Sequence, residues 1–275
     1  MMQYIHLLSN ATIGLPTDLW LPVTDSIKPQ KSVQYAIGSA FSIKDKIDIS
    51  VEGFYKNMDN LLEYKEGASF MSADNDWEDK IEIGKGWSYG LELLIEKKNG
   101  KTTGWIGYTL SWTERQFKNI SFGEAFPYKF DRRHDVSVVI THKFNEKWDI
   151  GITWVYGTGN AVTLATEKFV ALSGNDPGGN EYINLNSTIE YSGKRNSFRM
   201  ADYHRLDIGA NKHFKIRNAD ATLSFGAYNA YNRKNPFILQ YEDTFIDSEE
   251  IVEKTELYQY TLFPIIPSVS LSVSF

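Results

Sequence analysis

The last nine residues, Pro267 to Phe275, constrain the fold more than any other stretch. Hydroxyls at Ser268, Ser270, Ser272 and Ser274 alternate with apolar Val269, Leu271, Val273 and Phe275. Successive side chains of a strand point to opposite faces, so this segment reads as a strand with one greasy and one wet flank. It stops on an aromatic residue with no polar tail, whereas the ends of soluble domains usually fray. The pattern predicts a final strand held in a sheet, in a barrel that closes on it.

Composition enters as a set of exclusions. Hydrophobic residues make up 42% of the 275 and aromatics 14%, yet no apolar run approaches the ~20 residues of a membrane helix. A helical membrane protein is excluded, but a membrane barrel, whose strands are only half apolar, is not. A net charge of -6 argues against a nucleic-acid partner, which wants a basic face. With no cysteine, disulfide frameworks and thiolate metal sites fall away. Met1 to Leu8 has no basic segment, long apolar core or cleavage site of a secretory signal; this predicts a cytoplasmic chain or a piece whose front is missing.

Alternating segments recur along the chain. Val33 to Phe41 is followed by a short turn at Lys44–Lys46 and then by Ile47 to Tyr55. A long polar segment, Asn57 to Lys85, precedes Trp87 to Ile95, and Asn99-Gly100 marks a hairpin into Ile106 to Trp112, because a type I′ turn needs positive φ at both central positions. Val136 to Phe144 and Trp148 to Tyr156 flank the turn at Asn145–Lys147. A very long loop, Thr158 to Arg199, leads to Leu206–Phe214, then a turn at Arg217–Asp220, Leu223–Ala227, an acidic loop to about Leu257, and the final strand. Met1 to Leu8 reads as the stump or the whole of one further strand; as a whole strand it would make an even count of ten, with both termini at the short-turn side, and would allow closure into a small barrel. The expectation is an all-β, antiparallel transmembrane β-barrel segment of about nine to ten strands, with short periplasmic turns and long extracellular loops. Tyr55, Trp87, Trp112, Phe144, Trp148, Tyr156, Phe214 and Phe275 fall near strand ends, where rings with a polar edge favour the membrane interfaces. The alternative is a soluble all-β module, such as a glycan-binding sandwich, whose alternation would reflect an ordinary core.

Several short stretches resemble the carboxyl-terminal part of TonB-dependent outer-membrane receptors, in the subgroup with a carboxypeptidase-regulatory-like domain at the amino terminus. They are Leu15-Pro-Thr-Asp-Leu-Trp20 with Lys28-Pro29, Gly86-Trp-Ser-Tyr-Gly-Leu-Glu92, and Phe126-Pro127 with Asp131-Arg-Arg-His-Asp135. Tyr203-His-Arg-Leu-Asp207, Tyr228-Asn-Ala-Tyr-Asn-Arg-Lys-Asn-Pro236 and Ile266-Pro267 before Phe275 complete the set. Their order and spacing span nearly the whole chain. The resemblance implies a barrel of about 22 strands closed by an amino-terminal plug, importing a scarce nutrient with energy passed from the inner membrane. It implies the bacterial outer membrane as location, with outer-membrane lipid, a plug domain and TonB as partners, and assembly machinery that takes up the strand ending at Phe275. Residues 1–275 would form only the carboxyl-terminal part of that barrel, without plug or TonB-binding segment, and would not transport alone.

Candidate site residues are few. Asp48, Glu52, Glu92, Glu96, Asp149, Arg205 and Asp207 share the wet flank, and of these Glu52, Glu92, Glu96, Arg205 and Asp207 are the expected lumen- or plug-facing set. A wet lumen tolerates any polar residue, which is the plainer account of each one singly. In the first long loop Tyr64, Phe70 and Trp77 could stack on a sugar or planar chelate. Ser72 to Asp79 is acidic but lacks the glycine and glutamate spacing of a calcium loop. Asp131 to Asp135 reads as structural pairing between neighbouring strands. The five histidines lack the spacing of a zinc site; His142 suits an interface. No cofactor is expected. No serine, histidine and orienting group cluster, and no G-x-S-x-G occurs, so an enzyme is not expected.

Overall fold

The computed structural model describes residues 1–9, 18–66, 68, 76–170, 188–191, 193–245 and 253–275. Its frame is an eleven-stranded sheet whose neighbours in sequence are neighbours in space. In chain order the strands are β1 (Met2–Gln3), β2 (Gln30–Ile43), β3 (Ile47–Tyr64), β4 (Ile81–Lys97) and β5 (Thr102–Gln116). Then come β6 (His134–Asn145), β7 (Trp148–Gly157), β8 (Tyr203–Ile216), β9 (Ala219–Tyr228) and β10 (Ile266–Ser274). Phe126–Pro127 adds a two-residue rung on β5. Every pairing is antiparallel. Consecutive strands are joined at one end by short turns, three of which place a residue at positive φ: Lys44 (51°), Gly100 (104°) and Arg217 (54°). That is the conformation tight hairpins need.

Register puts like with like. Ile152 of β7 lies between Ile140 of β6 and Ile208 of β8, and Leu223 of β9 faces Leu271 of β10. One residue along, Gly151 meets Gly209 and Thr153 meets Asp207. Because the period is two, the greasy flank is continuous across the sheet. Among the described residues no second sheet covers it. Trp148 is 38% exposed, and Ile150, Ile152 and Trp154 are half-buried by their neighbours within the sheet alone. A soluble sandwich would bury these four beneath another layer.

The buried core lies instead at the long-loop end, in a collar of three small clusters. Leu8, Leu21, Ile27, Leu62, Tyr64 and Ile81 form the first. Leu61, Phe117, Ile120 and Phe126 form the second, and Val162, Leu164, Met200 and Leu239 the third.

Three expectations change. Asn57 to Lys85 is not simply a loop: β3 and β4 run on past a bulge at Asp59/Leu61 and stay paired to Tyr64 and Ile81, because Leu61, Leu62, Tyr64 and Ile81 gain apolar partners in the collar. Of the two readings of Met1 to Leu8, the stump holds and the whole strand does not. Only Met2 and Gln3 pair with β2, at its long-loop end, and Ile5–Ser9 turns away to pair with Asp18–Pro22. The barrel does not close on the final strand. β10 is an edge, with Val269 69% and Leu271 57% exposed, and β2 beyond its two-residue pairing with β1 is the other, with Ile37 82% exposed.

Candidate functional site

The structure gathers the charged sequence candidates on the wet flank of the sheet. Asp48 stands directly opposite Glu96, and Glu52 opposite Glu92. Like charges directly across a ladder repel. For the first pair Lys98 relieves this, its Nζ lying 3.2 Å from Asp48 and 3.1 Å from Glu96. Those two acids hold the Lys98 ammonium above the ordinary lysine value. Neither Glu52 nor Glu92 has an ion-pair partner among the described residues. Both border a concavity of about 610 Å³ with Trp105, Thr109, Asp135 and Ser137. This stretch of wall is therefore acidic and uncompensated.

Arg205 and Asp207 behave differently. The Arg205 guanidinium donates to Asp207 at 3.0 Å, to the Tyr203 hydroxyl at 3.0 Å and to the Tyr228 hydroxyl at 2.8 Å. It also lies 4.2 Å over the Tyr228 ring, and Asp207 accepts from the Asn229 amide at 2.9 Å. These two side chains tie β8 to β9 and to the connection after it. Nearer the short turns, Asp149 accepts from Asn211 at 2.8 Å and meets His213 Nε2 at 2.6 Å, while His213 Nδ1 meets Thr222 at 3.0 Å. The other sequence candidates lie in the collar. Tyr64 is 4% exposed within the first cluster, and burial followed by the charge of Glu63 pushes its phenol up. Trp77 packs against the same cluster. Phe70 lies outside the described residues.

Sequence reasoning did not find the collar's ion pairs. Glu63, 4% exposed, takes Arg115 at 3.1 Å and Arg195 at 3.2 Å. Arg195 also donates to the Tyr64 carbonyl at 3.1 Å, and its amide donates to Ser121 at 3.1 Å. Asp131, 1% exposed, binds Arg199, accepts from the Thr113 amide at 2.6 Å and meets Arg133 at 3.5 Å. The pairing read from Asp131 to Asp135 is there, but its main partner comes from the return limb of the longest loop. Two buried acids thus clasp that limb to the tips of β3 and β5. Charges this buried require partners, since removing one leaves the other stranded.

A single antiparallel sheet with one uncovered apolar flank, a polar concave flank, short turns at one end and a folded collar at the other is the wall of a transmembrane β-barrel. Residues 9–230 match the family model for the TonB dependent receptor-like β-barrel, and the chain belongs to that family of outer-membrane receptors. Among solved structures it is similar to the ferric citrate transporter FecA in its unliganded form, at 12% identity and a TM-score of 0.47, over 90% of this chain and 31% of that one. The ferric-catecholate import receptor Fiu from E. coli K12 matches at 15% identity and a TM-score of 0.48, over 78% and 25%. The FrpB iron transporter from Neisseria meningitidis matches at 14% and 0.46, over 91% and 31%. The chain spans between a quarter and a third of the length of these structures. No curated protein matches it.

Proposed function

We propose that this chain is the carboxyl-terminal part of the barrel wall of an outer-membrane TonB-dependent transporter, importing a scarce nutrient of the siderophore, metal-chelate, cobalamin or glycan kind. The observation that carries this reading is the direction of the two free edges. β2 and β10 both run from the long-loop end to the short-turn end, so joining them would make a parallel seam in an antiparallel sheet. Bacterial barrels of this kind have an even number of antiparallel strands. An odd number of further strands therefore has to stand between β10 and β2, the first of them antiparallel to β2 as the stub Met2–Gln3 is. In hydrocarbon each unpaired backbone group costs several kcal/mol, so both edges demand occupants.

On this reading the remaining strands, a plug domain and the TonB-contacting region belong to the same protein, and this chain alone does not transport. Glu52 and Glu92, which have no ion-pair partner among the described residues, face basic residues of the plug. The strand ending at Phe275 is the segment taken up by the barrel-assembly machinery. The test is a band shift: outer membranes carrying the full natural protein are extracted in detergent and run unheated and heated. A barrel runs at a different position unheated; a protein that partitions into the aqueous phase and shows no shift would end the proposal. A plug domain encoded in frame upstream of Met1 is the second expected result.

A further inference from the structure

Three neighbouring strands bring a hydroxyl, an imidazole and a carboxylate together on the wet flank, a set that no local motif announces. His213 of β8 stands between Thr222 of β9, its partner across the ladder, and Asp149 of β7. Its Nδ1 is 3.0 Å from the Thr222 hydroxyl and its Nε2 is 2.6 Å from an Asp149 oxygen. Asp149 is the sheltered member, its side chain 15% exposed, and its other oxygen accepts from Asn211 at 2.8 Å. The imidazole is 42% exposed. A carboxylate at one ring nitrogen fixes the tautomer that carries hydrogen there, which leaves Nδ1 as an acceptor for the Thr222 proton. Nucleophile, base and orienting acid thus stand in the order that activates a hydroxyl.

Room for a substrate adjoins the set. Two residues along the strands from Asp149, Asn211 and Ser224, the glycines Gly151, Gly209 and Gly226 stand side by side across β7, β8 and β9. A Cβ at Gly151 would meet nothing within 4 Å, and one at Gly209 nothing nearer than the Phe225 carbonyl oxygen at 3.8 Å. Three glycines abreast leave the backbone bare, so an extended chain can lie close against the sheet. Donors flank Thr222 as well. Ser272 is its direct partner on β10, and Asn211 Nδ2 gives one hydrogen to Asp149 and keeps the other. Donors beside the nucleophile are what the negative oxygen of an attacked carbonyl requires.

We propose that Thr222 is a nucleophile toward carboxylic esters that reach the wet flank, with His213 as its base and Asp149 positioning the imidazole. This activity goes beyond the transporter reading. Thr222 Oγ1 forms a bond to the ester carbonyl carbon while its proton passes to His213 Nδ1. The ester C–O bond then breaks, and that proton leaves with the alcohol. Water, giving a proton to the same nitrogen, attacks the acyl-threonine, releases the carboxylic acid and restores the Thr222 hydroxyl. The net reaction is ester plus water giving acid plus alcohol. The glycine trench takes the acyl chain, which selects slim, unbranched acyl groups.

The experiment takes the full natural protein in mild detergent and follows two readouts. One is the rate of labelling by an alkyl fluorophosphonate, with the site mapped by peptide mass spectrometry; the other is hydrolysis of p-nitrophenyl butyrate. Label is expected on Thr222, an O–P bond replacing P–F as fluoride leaves. Thr222→Val should abolish both readouts and Thr222→Ser should keep them. His213→Gln should slow labelling at least ~100-fold, the lower end of what a positioned general base contributes. Asp149→Asn should slow it by up to ~100-fold through lost orientation, and Asp149→Glu should restore most of the rate, which a purely structural role would not show. Gly209→Leu, which fills the trench, should lower hydrolysis of the butyrate more than of the acetate. Wild type unlabelled at Thr222, or labelled no faster than His213→Gln, overturns the inference, and the wild-type mapping decides even where a variant fails to fold. The heat shift of the same sample separates the two levels. A shifting barrel with Thr222 unlabelled sinks this inference alone, whereas an unshifted protein labelled at Thr222 sinks the transporter reading and leaves the nucleophile.

Discussion

Arginine at position 152 would put a charge in the middle of the greasy flank. Ile152 lies between Ile140 and Ile208, four residues from Trp148 and four from Tyr156, rings near the two ends of β7. At ~3.3 Å per residue and a tilt of ~45°, it sits roughly 9 Å from either ring along the membrane normal, close to the midplane. An arginine there costs ~2–4 kcal/mol, against ~0–1 near an interface. The adjacent Thr153 points the other way, opposite Val139 and Asp207, so arginine there enters a wet lumen at a cost under ~1 kcal/mol. Two neighbouring substitutions should therefore differ by about 2–3 kcal/mol, with the sign decided by parity alone. Urea unfolding of the full natural protein from phospholipid vesicles, followed by tryptophan fluorescence and by loss of the gel shift, measures both. Equal costs, or a larger cost for Thr153→Arg, would refute the assignment of the two flanks.

Asp131→Ala strands Arg199 and Arg133, and because their side chains are 30% and 28% exposed the expected cost is about 2–3 kcal/mol rather than that of a fully buried pair. Limited proteolysis should then cut within residues 158–200 while the gel shift persists; resistance equal to wild type would show that the clasp holds nothing. Burial holds the His6 imidazole below the ordinary histidine value, against the opposing pull of the Lys28 carbonyl 3.2 Å away. The folded collar thus binds fewer protons than the unfolded one, and its stability is full above about pH 6.5 and falls as pH drops below it. Hydrogen-exchange protection factors, corrected for the intrinsic pH dependence of exchange, should fall for residues 1–9 and 18–28 between pH 7 and 5, and His6→Gln should remove that fall. Gly84→Ala would place a Cβ 2.4 Å from the Gln116 carbonyl oxygen and 2.3 Å from the Phe117 ring, an overpacking cost of ~1–3 kcal/mol. Gly151→Ala meets nothing within 4 Å and should leave the urea midpoint unchanged.

The nine full strands and the two flanks were legible in the sequence because both are local. Period-two alternation is written into consecutive residues such as Trp148 to Tyr156, and the Asn99-Gly100 turn announces itself in two letters. Placement of Glu52, Glu92 and Glu96 on the wet flank followed from the same parity. The collar was not legible. Leu62 and Tyr64 look like loop residues until Leu8, Leu21 and Ile27 are brought against them. Asp131 and Glu63 gain their roles only when Arg199 and Arg195 return from far along the chain. Alternation likewise could not say whether the sheet closes, because closure depends on the direction of the outermost strands and not on what either contains. The sequence alone determined which side of each strand meets lipid, since that choice repeats every two residues. The tertiary structure decided where charge is buried, how the long loops are anchored and which edges stay open, since each needs partners tens of residues apart.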